Sequence, residues 1–204
     1  MQNAIFAVAN LFVQAGLNSF DEITVSGAAA AANADTLVFN MMAAFYTACA
    51  SFVSRNWGAG RKERILKSYH ICTLYGIFTG AIFGAMMLLF GRQFLSLFAN
   101  EPAVIDAGMD RLRIMAFSYA VAPLMDNSIA ASRGLGRSVA PTIMVILGSC
   151  VFRVIWIYTI FAYFHTITSL YLLYMFSWIL TGVAEYIYFR ITYKRNVLTA
   201  RATW

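Results

Sequence analysis

Four ionisable residues lie within long apolar stretches of the sequence, and these are the side chains to which we first assign chemistry. They are Asp35, Asp126, Arg153 and Glu185. A charge at membrane depth costs about 2.5–3.5 kcal/mol even on the lenient insertion scale, so each should face a partner or a water-filled cavity instead of lipid. Carboxylates in such a place can bind a proton or a cation, and a guanidinium can pair with them.

Arg153 is predicted to meet an acid, with Asp35 as the first candidate. At the rise of an α-helix, Arg153 lies about 18 Å from the outer end of its helix and Asp35 about 14 Å from the outer end of its own. A structural ion pair that fastens two helices and a pair with a functional role both fit this depth. Glu185 lies about a turn and a half before Arg190, near a helix end, so we expect its carboxylate to reach the membrane interface.

Each of the two aspartates belongs to a helical face that suits an organic cation. At helical spacing Asp35 is followed by Phe39, Met42, Tyr46 and Cys49. Asp126 is preceded on its helix by Met115, Tyr119 and Ala122. These faces combine an acid with aromatic rings and soft sulfur. Ordinary packing also produces aromatic and methionine stripes, so a cation cavity and a packed core both stay open.

Amide and hydroxyl residues form a polar stripe on each of the first two helices. The first stripe is Asn3, Asn10, Gln14 and Asn18; the second is Asn33, Thr36, Asn40, Thr47, Ser51 and Ser54. In hydrocarbon such groups seek partners across helices, and each pair contributes about 0.6 kcal/mol. Contacts between helices explain most of them, but two continuous stripes also describe a hydrated pathway. The candidates for cation coupling or a substrate cavity are therefore Asp35, Asp126, Asn33, Tyr46, Tyr119, Asn10 and Gln14.

Composition sets the class of protein that must position these residues. Apolar residues make up 61% of the 204 residues and charged residues 12%, which excludes an ordinary soluble domain. The chain divides into six apolar stretches, each long enough to cross about 30 Å of hydrocarbon. We predict an all-α integral membrane protein, a single bundle over residues 1–204 with transmembrane helices at 1–20, 26–56, 63–90, 104–133, 139–164 and 168–193. The short amphipathic segment Arg92 to Phe98 is expected to lie in the interface and not to cross the membrane.

Basic residues gather at alternate turns, and this predicts the orientation. They are Arg55, Arg61, Lys62, Arg64, Lys67, Arg133, Arg137, Arg190, Lys194, Arg195 and Arg201. Lys and Arg in short loops are retained on the cytoplasmic side. We therefore expect a multi-pass protein of the cytoplasmic membrane, surrounded by lipid, with both termini inside. The net charge of +6 then reports topology and not a nucleic-acid partner.

The sequence contains no constellation typical of an enzyme. There is no Gly-rich phosphate loop before a helix and no metal-spaced cluster of His or Cys. We therefore expect no catalytic activity, metal or cofactor, and a Na⁺ or H⁺ gradient as the energy source for any transport.

Small residues along the third helix predict a tight helix contact, within the bundle or between subunits: Ser68, Cys72, Gly76, Gly80 and Gly84.

Three short motifs, in their order, resemble a known family. They are SRNWGAGRKERI after the second helix, ASRGLGRSVAPTI between the fourth and fifth, and VFRVIWIY within the fifth. Together they are similar to the C-terminal half of the multidrug and toxic compound extrusion (MATE) family, whose members have two pseudo-symmetric six-helix lobes. The resemblance implies one lobe of a transporter that exports organic cations and drugs in exchange for sodium ions or protons.

The resemblance also bears on individual residues. In one branch of the family, acids on the helices that correspond to the first and fourth here are implicated in cation coupling. This sequence has amides on its first helix, and Asp126 lies about one turn closer to the cytoplasm than the usual acid. Asp35, two residues after Asn33, is similar to the Asn-x-acid pair of another bacterial branch. Sodium ions and protons both stay open as the coupling ion.

A single lobe would supply only half of a cavity that forms between two repeats. We expect the chain to be a fragment of a longer protein, with a separate N-terminal lobe or a second copy as the alternatives. The predicted function is efflux of small organic cations or drugs, with Asp35 and Asp126 at the surface that faces the missing lobe. The alternatives are a flippase for lipid-linked precursors of the same superfamily, and a membrane remnant or accessory subunit that does not transport.

Overall fold

The computed structural model describes residues 2–198, and the side chains of residues 8–195. The described residues form helices and no strand. The helices are α1 (Gln2–Leu17), α2 (Glu22–Gly58), α3 (Lys62–Leu95), α4 (Pro102–Gly134), α5 (Val139–Phe164) and α6 (Ile167–Thr192), and a π-helical segment, Tyr193–Leu198, continues α6. The predicted all-α fold with six helices is confirmed. Asn3 of the first polar stripe and Arg201 of the basic C-terminus lie outside the described side chains.

The helix ends follow the turn chemistry of the sequence. Pro102 occupies the first turn of α4, where a backbone N–H has no helical partner to lose. Gly60 and Gly136 adopt φ angles of 66° and 77° after α2 and α4, a conformation that glycine reaches without a Cβ penalty. Thr166 caps α6, because its side-chain oxygen accepts a hydrogen bond from the Ser169 N–H. Short turns therefore reverse the chain between neighbouring helices.

The prediction that α3 ends near Phe90 is wrong, whereas the interfacial position of Arg92 to Phe98 stays a prediction. Helix α3 continues without a break to Leu95, and only a turn follows. Leu95 is fully buried, and a Cβ added at Gly91 would lie 2.8 Å from the sulfur of Met109. Close packing of this last turn against α4 therefore extends the helix past the predicted end at Phe90.

Helix α4 contacts α2, α3 and α6. By length and composition, α2, α3, α5 and α6 can each cross a membrane, whereas the described apolar part of α1 is shorter. Helix α4 interrupts its apolar sequence with Asp106, Asp110, Arg111, Arg113 and Asp126. It can hold charged residues at membrane depth because neighbouring helices, and not only lipid, surround it.

The predicted ridge of small residues on α3 is a contact within the bundle. Cβ atoms added at Gly80 and Gly84 would lie 2.2 and 2.6 Å from the backbone oxygens of Tyr119 and Ala116 on α4. Pro123 has no N–H to donate to the Tyr119 carbonyl four residues earlier, so this oxygen is left facing α3. The two backbones approach this closely only because α3 has no side chains at these positions.

We expect Gly80→Ala to destabilise the bundle by about 1–3 kcal/mol, because the added methyl overlaps backbone atoms instead of a flexible side chain. Gly58→Ala is the matched control, since nothing lies within 4 Å of its Cβ position. Thermal unfolding of the purified full-length protein in detergent measures both variants. Equal unfolding temperatures would contradict the close contact between α3 and α4.

The basic turns lie together at one end of the bundle. The Tyr193 hydroxyl donates to the Lys62 carbonyl oxygen at 3.1 Å, which joins the end of α6 to the turn between α2 and α3. Leu135, just after α4, belongs to the same apolar cluster as Tyr193. This end, which includes Arg133, is called the basic end below. That it faces the cytoplasm stays a prediction.

Candidate functional site

Asp35 is held by α4 and not by α5. One of its carboxylate oxygens accepts a hydrogen bond from Arg111 Nη2 at 2.5 Å, and the other accepts one from the Tyr119 hydroxyl. The Arg111 and Asp35 side chains are only 13% and 9% exposed, so this ion pair is buried. The prediction that Asp35 pairs with Arg153 is therefore wrong. Similar depth allows that meeting, but α4 packs directly against α2 and brings its own arginine closer.

Arg153 contacts polar and aromatic groups of two other helices. Its Nη1 donates to Asn10 Oδ1 of α1 at 3.1 Å. Its guanidinium carbon lies 4.7 Å from the ring centroid of Tyr174 on α6, within the range of a cation–π contact. These contacts link α1, α5 and α6, and they do not include the predicted ion pair with Asp35.

The backbone of α5 is widened on both sides of Arg153. Two π-helical segments, Ile146–Val151 and Ile157–Phe161, flank the α-helical turn that carries it. Such segments change the direction of side chains along a helix and are frequent at functional sites. The first is supported from α6, because Ser177 Oγ donates to the Gly148 carbonyl at 3.1 Å.

A cavity of about 320 Å³ lies among α1, α2, α4, α5 and α6. Its charged lining residues are Asp35, Arg111, Asp126 and Arg153, whose formal charges cancel. Its other lining residues are Asn10, Phe39, Met115, Ala122, Met125, Tyr174 and Trp178. The structure thus brings both predicted aspartates and Asn10 to a single cavity.

Asp126 is the carboxylate of this cavity that has no bonding partner among the described residues. Among the residues that the structure describes, it takes part in no hydrogen bond or ion pair, whereas both oxygens of Asp35 are bonded. Its side chain is partly exposed and lines the cavity. A carboxylate in this setting can exchange a proton for a cation from the cavity.

A second cavity of about 220 Å³ adjoins the first along α1. The two share Asn10, Arg111 and Tyr174, and Gln14 lines the second one. Gln14 Nε2 also donates to Asn18 Oδ1 at 2.8 Å. Asn10 and Gln14 of the predicted polar stripe of α1 therefore line this second cavity.

Three other predicted residues do not line the main cavity. Asn33 is exposed, and its amide donates to two carbonyl oxygens of its own helix. The Tyr46 hydroxyl accepts a hydrogen bond from Arg133 Nη1 at 2.7 Å, near the basic end. Tyr119 is fully buried and supports the cavity wall through its bond to Asp35.

Sequence reasoning did not select Arg111, Tyr174 or Trp178, although all three line the cavity. Arg111 is not one of the basic residues that gather at the alternate turns. Its spacing of four residues from Met115 nevertheless places it on the helical face of Asp126, a signal that extending the periodicity would have found. Tyr174 and Trp178 are also four residues apart, but an aromatic pair in an apolar helix is not distinctive.

The prediction that Glu185 reaches the membrane interface is wrong. Its side chain is fully buried, and within the described part of the chain neither carboxyl oxygen has a hydrogen-bond partner. A Cβ added at Gly182, one turn earlier, would lie 3.3 Å from the Met125 Cβ of α4. This face of α6 therefore turns into the bundle.

We expect Asp35→Asn to cost about 3–5 kcal/mol of unfolding free energy, because it leaves the Arg111 guanidinium buried without its counter-charge. The matched control is Asp106→Asn, since Asp106 pairs with Arg92 where the side chains are 60% and 57% exposed; its cost should stay below about 1 kcal/mol. Chemical unfolding in detergent measures both. A loss for Asp35→Asn no larger than that of the control would contradict a buried pair.

Comparisons with known proteins agree with this architecture. A sequence profile of the MatE family matches residues 1–159. A comparison with curated proteins finds no match. Among solved structures, the chain resembles a MOP-superfamily transporter from Pyrococcus furiosus, whose binding pocket is described as having reverse polarity that suggests a different function (16% identity, TM-score 0.85, 95% of this chain and 44% of that one).

Two further solved structures show the same fold. One is a MATE protein in complex with MaL6 (16% identity, TM-score 0.85, 95% of this chain and 44% of that one). The other is an outward-facing multidrug resistance MATE transporter of the MOP superfamily (17% identity, TM-score 0.84, 95% and 44%). The chain thus spans less than half of the length of these proteins. It belongs to the MatE family, and it has the fold of one six-helix part of a MATE transporter chain.

Proposed function

We propose that the chain is one lobe of a multidrug transporter of the cytoplasmic membrane, and that the complete protein exports organic cations in exchange for Na⁺ or H⁺. The observation that carries this proposal is Asp126, a carboxylate at membrane depth that lines a cavity and has no hydrogen-bond or ion-pair partner in the described part of the chain. Such a group favours the arrival of a positive charge.

The wall around Asp126 suits the apolar part of an organic cation. The rings of Phe39 and Trp178 meet edge to face with centroids 5.4 Å apart, and Tyr174 lies 5.9 Å from Trp178. Met125 adds a flexible, polarisable side chain next to the acid. Aromatic faces attract cations, so a ligand with a cationic group and an aromatic body would gain from both the rings and the carboxylate.

The other charges of the cavity leave Asp126 as the coupling residue. Asp35 is neutralised by Arg111, and Arg153 is bonded to Asn10 and lies over Tyr174. When a proton or a sodium ion and an organic cation compete for one carboxylate, the binding of either lowers the affinity for the other by the same factor. Entry of the coupling ion then promotes release of the substrate, which is antiport.

A complete substrate site needs a second wall. Binding sites in transporters built from repeats lie between the repeats. Asn40 and Thr47 on the exposed polar face of α2 supply a surface that another lobe can cover. We propose the N-terminal lobe of a longer chain, or a second copy, as the partner of this face, with membrane lipid around the whole.

A second candidate function is transport of an anionic, lipid-linked precursor. Arg111 and Arg153 line the same cavity as the two aspartates, so the cavity is not simply acidic. Arg111 already pairs with Asp35 and Arg153 already donates to Asn10, whereas Asp126 takes part in no hydrogen bond or ion pair among the described residues. This difference favours the cation.

We expect Asp126→Asn in the full-length transporter to keep the fold and to lose most of the ion-driven efflux of a cationic dye, because the amide has a similar shape but neither binds a proton nor attracts a cation. Asp110→Asn is the matched control, since Asp110 lies on the same helix but is exposed. Counterflow and gradient-driven efflux in proteoliposomes measure both.

The assay also tests the alternatives. Normal efflux with normal ion dependence in Asp126→Asn would remove this residue from the mechanism. Transport of an anionic lipid-linked substrate that is lost in Arg153→Gln and kept in Asp126→Asn would support the flippase instead. No counterflow of either substrate by the wild-type protein would support a non-transporting role.

A further inference from the structure

Glu185 is a buried carboxyl group that lies outside the main cavity. It is fully buried on α6, and it does not line the cavity that contains Asp126. Neither of its oxygens accepts a hydrogen bond from any residue that the structure describes. A carboxylate without donors in a dry interior is so unfavourable that such a group takes up a proton instead.

A charged group that acts on Glu185 belongs to α4. Arg133 is near enough to interact with it electrostatically. In this conformation, however, Arg133 donates to the Tyr46 hydroxyl of α2 at 2.7 Å and to Thr142 Oγ1 of α5 at 3.4 Å. On its own helix, Arg190 lies over the ring of Tyr186, 5.9 Å from the centroid, and not at Glu185. The charge that acts on Glu185 is thus the Arg133 guanidinium, whose Nη1 and Nη2 atoms donate to α2 and α5.

The register of α4 and α6 places Glu185 between the cavity and the basic end. Two contacts show that the helices run in the same direction. Arg111 lies over Tyr171, and further along both helices Met125 contacts Gly182. Asp126 follows Met125 by one residue and Glu185 follows Gly182 by three, so Glu185 lies about 3 Å nearer the basic end along the axis. Two carboxyl groups therefore lie at similar depth, one in the cavity and one in the packed interior.

We propose that Glu185 is a second proton-binding site, protonated in this conformation, and that Arg133 becomes its counter-charge when the proton leaves. Release of that proton leaves a carboxylate that attracts Arg133 away from Tyr46 and Thr142. Those two bonds connect α4 with α2 and α5 at the basic end. The charge of Glu185 thereby selects between two arrangements of the helix ends. The proton site itself does not depend on what the cavity transports.

Infrared difference spectroscopy of the purified full-length protein tests the proton directly. Near neutral pH, Glu185→Gln should lose the carbonyl band of a protonated carboxylic acid relative to wild type. Glu101→Gln, which changes an exposed glutamate, should lose only the bands of an ionised carboxylate. Loss of ionised carboxylate bands in Glu185→Gln would overturn the proposal.

The role of Arg133 has its own test. In wild type the acid band should disappear as the pH rises, and in Arg133→Gln it should persist to higher pH because the counter-charge of the ionised form is gone. An unchanged pH of disappearance would overturn the pairing. Affinity for tetraphenylphosphonium should be kept in Glu185→Gln, so a failure of the cavity proposal, read in Asp126→Asn, is distinguishable from a failure of this one.

Discussion

The cost of placing a charge among membrane helices governs this structure. Each such group must find an opposite charge, a set of hydrogen bonds, a water-filled cavity or a proton. Asp35 takes the first solution, because Arg111 and Tyr119 occupy its two oxygens and tie α2 to α4. Asp126 faces a cavity. Glu185 is buried with no hydrogen-bond donor among the described residues, which favours its protonated form. Three acids in one bundle thus have different surroundings, and these surroundings separate a structural role from a proposed functional one.

Close packing of backbones makes the Asp35 pair possible. Glycines of α3 let it approach α4 at the carbonyl of Tyr119, the residue whose hydroxyl also holds Asp35. The position of the Asp35 carboxylate therefore depends on the contact between α3 and α4 as well as on its own ion pair. On the other side of the cavity, the π-helical segments of α5 flank Arg153. The cavity therefore depends on a close helix contact that does not line it and on two irregular segments of α5.

The features that could be predicted from the sequence are those that depend on a single helix. The lengths of the apolar stretches predicted six helices, and the spacing of small residues predicted a tight contact of α3. The helical faces of Asp35 and Asp126 indicated residues that do line one cavity, such as Phe39 and Met115. The partner of Asp35 was missed because it depends on which helix packs closest, and equal depth along two helices does not settle that. The burial of Glu185 was missed for the same reason, since Gly182 and Met125 turn its face inward. The π-helical segments leave no distinctive pattern of residues.

The central claim is that Asp126, and not the neutralised Asp35, is the carboxylate that receives a cation. The most direct measurement is the dissociation constant of tetraphenylphosphonium for the purified full-length transporter, compared between Asp126→Asn and the double variant Asp35→Asn/Arg111→Gln. The double variant removes an acid and its counter-charge together, so the net charge of the cavity is unchanged. The account predicts a loss of affinity of about tenfold or more for Asp126→Asn, which corresponds to about 1.4 kcal/mol, and a much smaller loss for the double variant. The reverse order of the two losses would contradict it.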